Sequence, residues 1–71
     1  MNHNEIRLVL HLTELARRLK SETPEWAWAD WATFQTVMLR QPRPDGPLFE
    51  VTDRQFTRCL RHAFVEVSYR P

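Results

Sequence analysis

One cysteine, three histidines and a cluster of arginines are the side chains of this 71-residue sequence that could do chemistry. Cys59 falls on the apolar face of a helical pattern with Phe56, Leu60, Ala63, Phe64 and Val67. A thiol there packs as a small hydrophobe and is unreactive. His3 and His11 are eight residues apart and fall on different sides of a helix, so they cannot share a metal. His62 has no cysteine or carboxylate at zinc-site spacing. The single glycine excludes a glycine-rich phosphate loop, and no nucleophile motif is present. These residues predict a protein that is not an enzyme, with no cofactor, no metal and no small-molecule substrate.

Binding residues are better represented. Arg54, Arg58, Arg61 and His62 fall within about 100° of a helical wheel, opposite the apolar face, with no acid among them. A helix with such a stripe can enter a major groove and contact phosphates or guanine edges. Three helices with a basic last one are also the outline of a helix-turn-helix domain. The connection before this helix is longer than the turn of roughly three to four residues that the motif uses. A net charge of +1 also gives little attraction for nucleic acid. Duplex DNA is therefore the alternative partner. Arg17, Arg18 and Lys20 form a second basic cluster, explained by the negative end of their own helix.

Trp26, Trp28 and Trp31 lie within six residues, flanked by Glu22, Glu25 and Asp30, with no base between Ser21 and Arg40. On a wheel, Trp26 and Trp31 share an arc with Ala27, Phe34, Val37 and Met38 and are expected in the core. Trp28, Leu39 and Ala32 extend the apolar arc to about 240°, more than one neighbouring helix can cover. They form the expected partner surface, with Trp28 at its centre, and a homodimer is the simplest form of such a contact.

The elements that must position these residues are three helices, expected at about 4–20, 24–40 and 52–67. In the first, Leu8, Leu12, Leu15 and Leu19 follow a 4-3-4 spacing, joined by Ala16 and Val9, while Ile6 and Leu10 fall elsewhere. Thr23 as N-cap and Pro24 at N1 would open the second. The stretch Gln41–Pro47, with three prolines around Asp45-Gly46, is a connection. Leu48, Phe49 and Val51 would dock its return onto the core, with Glu50 facing away as in a short strand at 48–51. Thr52 and Gln55 match a capping box, with Val51 and Phe56 as its hydrophobic staple. Residues 64–69 are rich in β-formers and alternate, which allows a terminal strand. Without a Gly or Asn cap near residue 63, continued helix is the expectation.

The fold class is thus a mainly α, small three-helix domain comprising residues 1–71. The length leaves no room for a second core. Hydrophobic residues are 42% and charged residues 27%, which argues against wholesale disorder. One cysteine excludes a disulfide scaffold and suits a reducing compartment. No apolar run approaches the roughly 18–20 residues that span a bilayer, and the first residues lack the features of a secretory signal. The expected location is cytoplasmic. No motif is specific enough to name a family. The expected role is a small regulatory or accessory protein acting by protein–protein binding, and chains this short, arginine-rich and motif-free are typical of phage and mobile elements.

Overall fold

The first helix opens on a reciprocal cap. The Glu5 backbone N–H donates to Asn2 Oδ1 (2.8 Å), and the Asn2 N–H donates to Glu5 Oε1 (3.2 Å). Two backbone donors at the helix start are satisfied in this way. The computed structural model describes residues 1–22 and 30–69. The expectations for Thr23, Pro24, Trp26, Ala27 and Trp28 lie outside the described residues. Among the described residues the chain forms three helices, α1 (His3–Glu22), α2 (Trp31–Leu39) and α3 (Asp53–Tyr69), with a 3-10 turn at Pro47–Phe49. The mainly α, three-helix expectation is what the structure has.

In α1 the buried apolar residues are Leu8, Leu12 and Ala16, with Val9, Leu15 and Leu19 packed beside them. Ile6 and Leu10 are exposed, as their wheel positions require. In α3 the buried residues are Phe56, Cys59, Leu60, Ala63 and Val67. The Thr52–Gln55 capping box forms as expected: Gln55 N–H donates to Thr52 Oγ1 (3.1 Å) and Thr52 N–H to Gln55 Oε1 (2.8 Å). Helices α1 and α3 make the principal interface of the molecule, and the 3-10 turn packs on α1. Glu5 meets α3 at Arg58 and Cys59, whereas Lys20 Nζ donates to the Val67 carbonyl (3.3 Å). The two helices therefore run in the same sense. Lys20 also supplies a donor to one of the last carbonyls of α3, which have no partner within the helix.

The expectations for the second helix and for residues 48–51 need correction. A second helix running unbroken from 24 to 40 is excluded, because Asp30 has φ −124° and ψ 148°, an extended conformation. Its carboxylate accepts from the Thr33 N–H (2.7 Å) and hydroxyl (3.0 Å), so Asp30 is the N-cap and α2 begins at Trp31. The strand at 48–51 is a 3-10 turn instead. Pro47 stands at its first position and the Phe49 N–H donates to the Gly46 carbonyl (3.0 Å). Gly46, at φ 108°, supplies a backbone conformation that other residues resist. That turn leaves Leu48 exposed, so only Phe49 and Val51 dock onto the core. At 64–69 the expected continuation of the helix is what forms, with α3 running to Tyr69 in place of the alternative terminal strand. The apolar spacing of Leu60, Ala63 and Val67 keeps one helical face against α1, which outweighs local β propensity.

Helix α2 closes the structure over the C-terminal half of α3. Phe34 is fully buried, with its ring 5.1 Å from Phe64. Trp31 stands edge-on to Phe64 (5.6 Å) and stacks with Phe34 (6.1 Å). Such offset and tilted ring pairs add to the area they bury. Met38 is buried one turn further on. The connection after α2 is tied back by Arg43, whose guanidinium lies 4.2 Å from the centre of the Phe56 ring and pairs with Asp53 (3.0 Å).

Candidate functional site

The basic residues expected on α3 do share one face. Arg54, Arg58, Arg61 and His62 line, with Thr57 and Val65, a groove of about 580 Å³ open to solvent. They line it because positions 54, 57, 58, 61, 62 and 65 alternate steps of three and one, which forms a continuous stripe on a helix. The opposite face of α3 is the one packed in the core.

The four basic residues do not stand in the same surroundings. Arg58 Nη2 binds Glu5 Oε2, so the stripe does have an acid beside it, supplied by α1 rather than by α3. Glu5 is nearly fully buried, while Arg58 remains half-exposed. The Arg58 guanidinium and the Asn2 N–H together hold the Glu5 carboxyl below its usual range, and the same bond raises Arg58 further. One oxygen of Glu5 thus caps its own helix and the other binds α3. Arg61 lies 5.0 Å above the Trp31 ring, which leaves its charge in place. Arg54 and His62 are exposed and have no side-chain hydrogen bond or ion pair among the described residues.

Cys59 is fully buried, and its Sγ donates to the Glu5 carbonyl oxygen at 3.6 Å. Burial pushes the thiol pKa up, with the Glu5 charge adding to the rise. Its position supports packing and not nucleophilic attack. His11 lies against Phe49 (5.4 Å between rings). No group of three or more potential metal ligands occurs among the described residues.

The expected partner surface on α2 is partly described. Ala32 and Leu39 are both exposed, Leu39 by 58%, and lie on one side seven residues apart. Thr36 lies between them, and its hydroxyl donates to the Ala32 carbonyl (2.9 Å). Trp28, the expected centre, lies outside the described residues. The Ala32–Leu39 side and the α3 groove are separate surfaces, since α2 meets α3 through Trp31 and Phe34.

No family model, no curated protein and no solved structure matches this chain. The surfaces themselves must carry the functional argument. No helix among the described residues is long and apolar enough to cross a membrane.

Two contributors were missed in the sequence. Glu5 could have been found, because Asn2-His3-Asn4-Glu5 has the same spacing as the capping box at Thr52. Arg43, assigned only to a polar connection, gave no local sign that it would cover Phe56.

Proposed function

We propose that this chain is a small non-enzymatic accessory or regulatory protein that acts by protein–protein binding, with a second copy of itself seated on the outer side of α2. The observation that carries the reading is the composition of that helix. Its nine residues, Trp31–Leu39, include no charged side chain, and Ala32, Thr36 and Leu39 are all exposed. A twofold contact places the same patch on both partners, so an uncharged patch meets itself without repulsion. Burying Thr36 leaves no orphan polar group, because its hydroxyl is already bonded within the helix. Leu39 then enters the contact as the apolar anchor.

Duplex DNA binding through α3 is the weaker reading. One of its four candidate cations, Arg58, is already bound by Glu5, and phosphate neutralisation supplies most non-specific affinity.

Sedimentation velocity over a concentration series tests the proposal. The parent should pass from monomer to dimer, and Leu39→Glu should remain monomeric with unchanged far-UV helicity. Trp28→Ala should weaken the dimer as well. A parent that is monomeric throughout, or a Leu39→Glu variant that dimerises normally, refutes the α2 contact.

A further inference from the structure

The outer face of α3 meets α2 at its edge, where Arg61 lies over Trp31, and its chemistry selects a different occupant from the α2 side. We infer that this groove docks an acidic amphipathic helix from a protein partner. This is a second surface, independent of the contact on α2, so each can fail without the other.

Three features specify the occupant. The stripe from Arg54 to Val65 is eleven residue steps long, about 16 Å or three helical turns. Ridges at steps of three and four are what another helix packs against, at an axis separation of about 8–10 Å. The second feature is the apolar floor. Val65 is 47% exposed and Thr57 is exposed beside it, and the arginine stems add hydrocarbon between their charged ends. An apolar ridge along the partner helix would cover these groups, the usual arrangement for a helix held in a groove.

The third feature is charge. Arg54 and Arg61 have no carboxylate partner among the described residues, and His62 adds a hydrogen-bond donor and a charge when protonated. Among the described residues Glu5 is the acid bonded to the stripe, and it is buried and held by Arg58. The cations therefore face outward at both ends of the groove, where glutamates or aspartates flanking the partner's apolar ridge would meet them. Duplex DNA fits less well. An apolar floor gives phosphates nothing, and the whole chain carries a net charge of only +1.

The test uses the full chain and a dye-labelled helical peptide of about four turns, with leucines along one stripe and glutamates on both flanks. Fluorescence anisotropy should show saturable binding that weakens as salt screens the charges. A peptide with lysine in place of every glutamate, or serine in place of every leucine, should not bind. The double variant Arg54→Glu/His62→Glu, which touches neither the core nor the Glu5–Arg58 pair, should lose at least about tenfold in affinity while keeping its circular dichroism spectrum. Val65→Asp should do the same through the floor of the groove.

Absence of saturable binding up to about 1 mM peptide overturns the inference. So does equal affinity for the lysine peptide, or unchanged affinity in both variants. Tighter binding of a mixed-sequence duplex than of the acidic peptide would assign the groove to DNA and overturn it too. If Arg54→Glu/His62→Glu instead abolishes self-association, the occupant is a second copy of this chain, and the inference also fails.

Discussion

Truncating Phe56 to alanine is the sharpest test of how this fold holds together. The side chain is 7% exposed and stands where α3 starts, with Val51 beside it as a hydrophobic staple and Arg43 above its ring. Removing a buried phenylalanine side chain costs about 3–5 kcal/mol, the lost transfer energy plus the cavity left behind. A 71-residue domain has a total stability of roughly 4–10 kcal/mol at the usual value per residue. Phe56→Ala should therefore lose about a third or more of its stability, and all of it at the lower end of that range. The Arg43 contribution is separable, because Phe56→Leu keeps most of the apolar volume and removes the π face. In a double-mutant cycle with Arg43→Ala, the coupling should be about 0.5–1 kcal/mol, the range for an exposed cation–π pair. Urea unfolding followed by far-UV circular dichroism measures the four species of the cycle and Phe56→Ala beside them. A Phe56→Ala loss below about 1 kcal/mol would refute the assignment of this residue to the core. Zero coupling would mean that Arg43 is held only by Asp53 and the Val51 carbonyl.

Three further outcomes follow from the same contacts. Glu5 has a folded-state pKa below its ordinary 4.5, so its contribution to stability is complete above that value and is lost as pH falls through the lowered one. Glu5→Gln, which can still form the capping box, should flatten the acid limb of a melting-temperature profile; an identical profile below about pH 4.5 would reject the role of the Glu5–Arg58 pair. Thr52→Ala removes the α3 cap and should cost about 1 kcal/mol in urea unfolding, and a loss within error of zero would show the cap to be dispensable. Cys59 should react with a thiol-specific disulfide reagent only as fast as the core opens, and much faster in urea; labelling at the rate of a free thiol in the native state would contradict its burial.

Local chemistry is legible in the sequence where one element decides the outcome. Thr52 and Gln55 form their box because both partners lie within one turn, and the apolar stripes of α1 and α3 are periodic over several turns. The start of α2 is ambiguous in the sequence because two N-terminal signals compete there, Thr23-Pro24 and Asp30 with Thr33. The first lies outside the described residues, and the geometry of Asp30 decides where α2 opens. At 48–51, alternation over four residues was too short to outweigh Gly46 and Pro47, which together favour a tight turn. The stripe on α3 was legible, but the state of its members was not. Arg58 has no acid beside it on its own helix, and its partner is 53 residues away in the chain. Arg43 shows the same limit, since its place over Phe56 depends on the path of the whole connection.

The division of labour among the cations of α3 gives the strongest link between fold and function. A buried carboxylate such as Glu5 is costly unless paired, so Arg58 is required to complete the α1–α3 interface. Arg61 contributes hydrocarbon and a cation–π contact to the edge of α2 while keeping its charge toward water. Arg54 and His62 make no comparable contact among the described residues, and the core does not require them. Replacing Arg58 should therefore weaken folding first and binding only as a consequence. Replacing Arg54 and His62 should alter binding with little effect on folding. Melting temperature and peptide affinity measured on the same variants distinguish the two outcomes. If Arg58→Ala melts like the parent, the Glu5 pair is not structural, and Arg58 joins Arg54 and His62 as a candidate for contact.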